Sequence, residues 1–144
     1  MRRSMLVFIL SFALAAMALV AGAMSSVAGA PEELQALPVN ITVTCAEGQV
    51  DDVNVRPWTV RASRAAGNQV SWRLQPNSGV ASAAIRPKPG NAWPFASTPP
   101  LTVNHNSTVD SGAITGAPSS YFYDIVVDCG GGQTVIDPRM DINP

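Results

Sequence analysis

The chain has 144 residues, with nine Lys or Arg against ten Asp or Glu and a formal net charge of −1. Twelve Pro and eleven Gly punctuate it, a composition that suits many short strands joined by turns. No basic cluster gives a nucleic acid or an anionic membrane surface an electrostatic footprint, so neither is an expected partner.

Arg2 and Arg3 precede an almost purely apolar run from Met5 to Ala23, and small residues follow. That is the pattern of a secretory signal. Ser26-Val27-Ala28 has the small residues that cleavage needs, so residues 1–28 read as a Sec-type signal peptide; Ala21-Gly22-Ala23 also fits. Left uncleaved, the run is about long enough to span a bilayer, and a membrane is expected as a partner only in that way. The expected location is the periplasm or the exterior. Removal of residues 1–28 leaves 116 residues with seven basic and ten acidic side chains, the size of one domain.

Residues 29–38 read as a mobile leader and 39–144 as a single domain. Val39, Ile41, Val43 and Cys45 alternate with Asn40, Thr42 and Thr44, a half-buried strand at period two. The pattern restarts at Val53–Val55, and Pro57 marks an edge or bend. Trp58, Val60 and Ala62 alternate next. A turn at Ala65-Ala66-Gly67-Asn68 leads to Val70, Trp72 and Leu74. A weaker strand spans Val80–Arg86. Residues 87–100 hold five Pro with Trp93 and Phe95 between them, and read as a long ordered loop. Short strands are expected at Leu101–Val103 and Thr108–Thr115. Ser120–Cys129 is the clearest strand: Tyr121, Tyr123, Ile125, Val127 and Cys129 face one way, and Phe122, Asp124, Val126 and Asp128 the other. Gly130-Gly131-Gly132 reads as a hairpin turn, Thr134–Ile136 pairs back, and Met140–Ile142 ends the chain's pattern. No 3.6-residue periodicity follows the signal. The expected fold is an all-β Greek-key sandwich of about seven to nine strands.

Two stretches resemble cupredoxins, the small secreted sandwiches that include blue-copper proteins. One is Trp58 to Leu74, where Gly67-Asn68-Gln69-Val70-Ser71-Trp72 matches the family's central hairpin phrase. The other is the Tyr121-Phe122-Tyr123 strand, similar to the one that delivers the copper thiolate. The resemblance implies a cupredoxin-like fold; an immunoglobulin-like sandwich shares the same hairpin and core features. It does not carry the copper activity. A blue-copper site needs two His and one Cys with a weak axial ligand. His105 is the sole histidine, and Cys129 is followed by three glycines rather than a ligand loop. Copper binding through Cys129, His105 and Met140 is the alternative reading, and the expectation is no metal and no cofactor.

An even cysteine pair in an exported protein reads first as a disulfide. Cys45 and Cys129 both end alternating strands on the apolar face, and their bond would close a loop of about 85 residues, worth up to ~4.5 kcal/mol. Free thiols and a metal site remain the alternatives. Asp124 and Asp128 read as solvated carboxylates on a sheet surface. No Gly-x-Ser-x-Gly elbow exists, and His105 sits in a polar loop, so no enzyme is expected. Trp58, Trp72, Tyr121 and Tyr123 fall at inward positions. Trp93 and Phe95, with Lys88 and Asn91 close by, form a candidate binding loop, the rival being a lid over the core. The function expected is a non-enzymatic binding or structural role in the cell envelope, with an envelope or extracellular protein or glycan as partner.

Overall fold

The structure, a computed structural model, describes residues 33–144. The expected signal peptide and the start of the expected leader lie outside the described residues. Ten strands form: β1 (Gln35–Ala46), β2 (Gln49–Arg56), β3 (Thr59–Ser63), β4 (Asn68–Leu74), β5 (Ser82–Pro87), β6 (Leu101–Asn104), β7 (Thr108–Asp110), β8 (Ser119–Asp128), β9 (Gln133–Ile136) and β10 (Arg139–Asn143). The described residues contain no helix.

The strands make two mixed sheets packed face to face. One has the order β2-β1-β4-β7; the other has β3-β10-β8-β5-β6, with β9 pairing the far end of β8. β1 runs antiparallel to β2 and parallel to β4, and β3 runs parallel to β10. The alternating residues explain why these segments pair. Val39, Ile41 and Val43 of β1 face Val60 and Ala62 of β3, Ile85 of β5, Tyr123, Ile125 and Val127 of β8, and Met140 and Ile142 of β10 across one buried core. Each fully buried Val, Ile or Leu contributes about 1.5–3 kcal/mol before the entropy of ordering is set against it.

Several expectations change. The strands number ten among the described residues, above the seven to nine read from periodicity. β1 begins at Gln35, inside the segment expected as a leader, because Gln35–Pro38 continue the parallel ladder with Asn68–Ser71. The Gly67 turn does not close a paired hairpin: β3 and β4 lie in different sheets, so the turn is a corner between them. Asn68 builds that corner. Its Oδ1 accepts from the Ser63 backbone N–H at 2.8 Å and its Nδ2 donates to Gln35 Oε1 at 2.9 Å. Gly67 sits at φ +62°, which glycine adopts at no steric cost. Trp58 is 49% exposed, against the inward position expected. β3 pairs with β10 only from Thr59 onward, so the alternation that buries Val60 does not extend back to Trp58.

Asp124 and Asp128 are not simply solvated. Asp124 is buried and lies 3.5 Å from Arg86 Nε, the residue opposite it on β5. Asp128 Oδ1 accepts from the Gly130 N–H at 2.7 Å and the Gly132 N–H at 3.4 Å, which shapes the expected triple-glycine hairpin between β8 and β9.

Candidate functional site

Cys45 and Cys129 are joined in a disulfide that ties the end of β1 to the end of β8, and so one sheet to the other, with a Cα–Cα distance of 5.8 Å. The β1–β2 and β8–β9 turns meet beside it. The Gly131 N–H donates to the Gly48 carbonyl at 2.7 Å, and Gln49 Nε2 donates to the Gly131 carbonyl at 3.4 Å. A Cβ on Gly131 would stand 2.6 Å from the Gly48 oxygen, so the middle glycine is required by this close approach. A bonded pair of this kind is compatible with an oxidising, exported location.

The residues of the copper alternative are not brought together. Cys129 Sγ is bonded to Cys45. Met140 is fully buried opposite Tyr121, eight residues back along β8, or about 26 Å at the usual rise per residue. His105 is exposed in the β6–β7 turn, its N–H donating to the Ala81 carbonyl at 2.8 Å. Among the described residues, no three His, Cys, Asp or Glu side chains cluster as metal ligands.

The 87–100 segment is an ordered loop, as its prolines suggest, and it is held along residues 111–116. Ala96 N–H donates to the Ala113 carbonyl at 2.9 Å, and Thr115 and Gly116 N–H both donate to the Pro94 carbonyl. Its aromatic pair does not stand exposed. Phe95 is buried and Trp93 half-buried. Trp93 stacks on Trp72 at 6.0 Å between ring centroids, while Phe95 and Tyr123 meet Trp72 edge-on at 6.0 and 5.7 Å. The aromatic part of the candidate binding loop is therefore a cap on the core. Asn91 closes a tight turn with Lys88, its N–H donating to the Lys88 carbonyl at 2.8 Å. The Lys88 ammonium pairs with Asp137, and that hydrogen bond raises the lysine and lowers the carboxyl from their ordinary values.

Behind the cap, the Tyr123 hydroxyl and the Trp72 Nε1–H are buried without a hydrogen-bond partner. The neighbouring Trp72 indole favours the phenolate and works against the effect of burial. Burial dominates and pushes the Tyr123 phenol up to about 12. The unfolded phenol titrates near 10. A group with a raised folded pKa stabilises fully below its unfolded pKa, and that contribution drains as pH rises through the folded value. Urea midpoints measured between pH 9 and 12 are expected to fall with a component of about 2–3 kcal/mol that Tyr123→Phe removes. At pH 7 the same variant is expected to change stability by less than about 1 kcal/mol, because the lost hydroxyl has no partner to strand.

Sequence reasoning missed an open polar groove of about 430 Å³ on the outer face of the four-stranded sheet. Asn40 and Thr42 of β1, Asn54 and Arg56 of β2, Arg73 of β4, and Gln75 and Asn77 beyond it line the groove. Register builds it. Arg56 lies opposite Asn40, and Asn40 opposite Arg73, so two guanidiniums flank one carboxamide in a row across three strands. Asn54 lies opposite Thr42 in the next row. Arg56 Nε donates to Asn54 Oδ1 at 2.9 Å, and Gln75 Nε2 donates to Asn40 Oδ1. Arg56 and Arg73, like Arg61 and Arg64, have no carboxylate within ion-pair reach among the described residues, whereas Arg86, Lys88 and Arg139 each pair with an aspartate. The only signal in the sequence was a set of polar residues at the outward positions of three strands.

The two packed sheets, the disulfide and the groove define a stapled all-β sandwich with a polar concavity on one sheet face. Comparison with known proteins returned no matching family model and no matching curated sequence.

Proposed function

We propose that this chain is an exported, non-enzymatic binding protein of the cell envelope or exterior, and that its ligand surface is the groove of the four-stranded sheet. The carrying observation is the row Arg56–Asn40–Arg73, two cations without ionic partners over a concavity of ligand size. The signal-like N-terminus and the disulfide support export. The Val70-Ser71-Trp72 core position and the strand that runs to Cys129 support a cupredoxin-like Greek-key arrangement, used here as a scaffold without copper. The 87–100 loop stiffens the core on this reading, and recognition moves to the sheet.

Filling the groove tests it. Asn40 is exposed, so Asn40→Trp is expected to fold normally and to obstruct the concavity. Immobilised wild-type protein is expected to retain a component of isolated envelope or extracellular fractions that Asn40→Trp releases. Equal retention by both proteins would place recognition elsewhere, and no retention by either would remove the binding role.

A further inference from the structure

We infer that the groove takes an acidic saccharide, with Arg56 and Arg73 holding its carboxylates and the surrounding amides its hydroxyls. The inference rests on the groove being the ligand surface. Charge comes first. Residues 29–144 carry a net −3, yet the groove has two arginines and no Asp or Glu among its lining residues. The nearest carboxylates in register are already a row away or engaged: Asp52 lies opposite Thr44, and Asp110 accepts from the Ser71 hydroxyl. Unpaired guanidiniums on an otherwise acidic molecule attract an anion, and the planar fork of arginine matches a carboxylate in two parallel hydrogen bonds.

Geometry comes next. The two arginines stand two strand spacings apart, about 10 Å between backbones. That separation suits two charges borne along a chain better than one small ion. The remaining lining is Asn40, Thr42, Asn54, Gln75 and Asn77. Each carboxamide offers both donors and an acceptor, and the threonine hydroxyl does the same. Sugar hydroxyls also donate and accept, so they can satisfy this lining, whereas a bare oxyanion only accepts. No aromatic side chain lines the groove, so affinity should come from polar contacts and fall with salt.

Calorimetric titration of the purified exported protein with a hexameric oligo-uronate is the test, run beside a neutral hexasaccharide and inorganic phosphate. The expected result is saturable binding of the uronate, at least tenfold tighter than the neutral sugar and weakened at high salt. Arg56→Gln and Arg73→Gln are each expected to weaken it tenfold or more without moving the melting temperature. Equal binding of the neutral hexasaccharide, lost in Asn40→Trp, would overturn the acidic class and leave the groove as ligand surface. Phosphate binding as tightly as the uronate would reduce the site to a simple anion site and overturn the saccharide. Uronate binding untouched by Arg56→Gln, Arg73→Gln and Asn40→Trp would overturn both the inference and the groove.

Discussion

Replacing both cysteines, Cys45→Ala with Cys129→Ala, is expected to lower the unfolding free energy by about 4 kcal/mol, with an upper figure near ~4.5 from the chain-entropy relation for a separation of 84 residues. Few single features of a domain this size weigh as much, since net stability is typically about 5–15 kcal/mol. At that end of the sandwich a Gly131-to-Gly48 backbone hydrogen bond and a longer one from Gln49 also join the turns of the two sheets. Urea denaturation of wild type, reduced wild type and the double variant checks the claim. The reduced protein and the double variant should agree within about 1 kcal/mol, which separates the cross-link from the packing of the half-buried sulfurs. A loss below about 1 kcal/mol in both would show that the unfolded chain gains little freedom from opening the loop.

The strands that alternate cleanly were readable because alternation is local. Val39 to Val43, Val70 to Leu74 and Tyr121 to Val127 each state which residues face the core without reference to any partner. The cysteine pair was readable for a similar reason, since a signal-like N-terminus and an even count constrain it before any geometry. Trp58, Gly67 and Asp124 were misread because their surroundings depend on which strand lies beside which. Asp124 looks like a surface carboxylate until Arg86 is found opposite it on β5. Gly67 looks like a hairpin turn until its flanking strands are seen to enter different sheets.

The groove was invisible for the same physical reason. Arg56, Asn40 and Arg73 share a row only because one antiparallel and one parallel register happen to align them. A slip of one residue in either pairing would turn one arginine toward the core. The 87–100 loop posed the opposite problem. Two large aromatics in a proline-rich segment must either fold back or stand out, and nothing local decides between these. The deciding partner is Trp72, some twenty residues earlier, whose ring offers a face to Trp93 and an edge to Phe95.

That dependence makes Trp72 the side chain whose loss should cost most. Its indole is fully buried and touches three other rings, so Trp72→Ala is expected to lower stability by about 3–5 kcal/mol through lost transfer energy and the cavity left behind. Trp72→Phe keeps a ring in place and gives a folded comparison if the alanine variant does not accumulate. Trp93→Ala should cost less, about 1–3 kcal/mol, because its ring is already half in water. The two effects should not add: a stacked pair carries about 0.5–1.5 kcal/mol beyond its area, so a cycle of Trp72→Phe and Trp93→Ala should show coupling of that order. Urea midpoints for the four proteins supply the measurement. If Trp93→Ala left stability within about 0.5 kcal/mol of wild type, the loop would not be capping the core, and its tryptophan would return as a surface for a partner. If the cap holds, the rigid end of the sandwich lies under the aromatic loop, and recognition is left to the outer sheet face that carries Arg56 and Arg73.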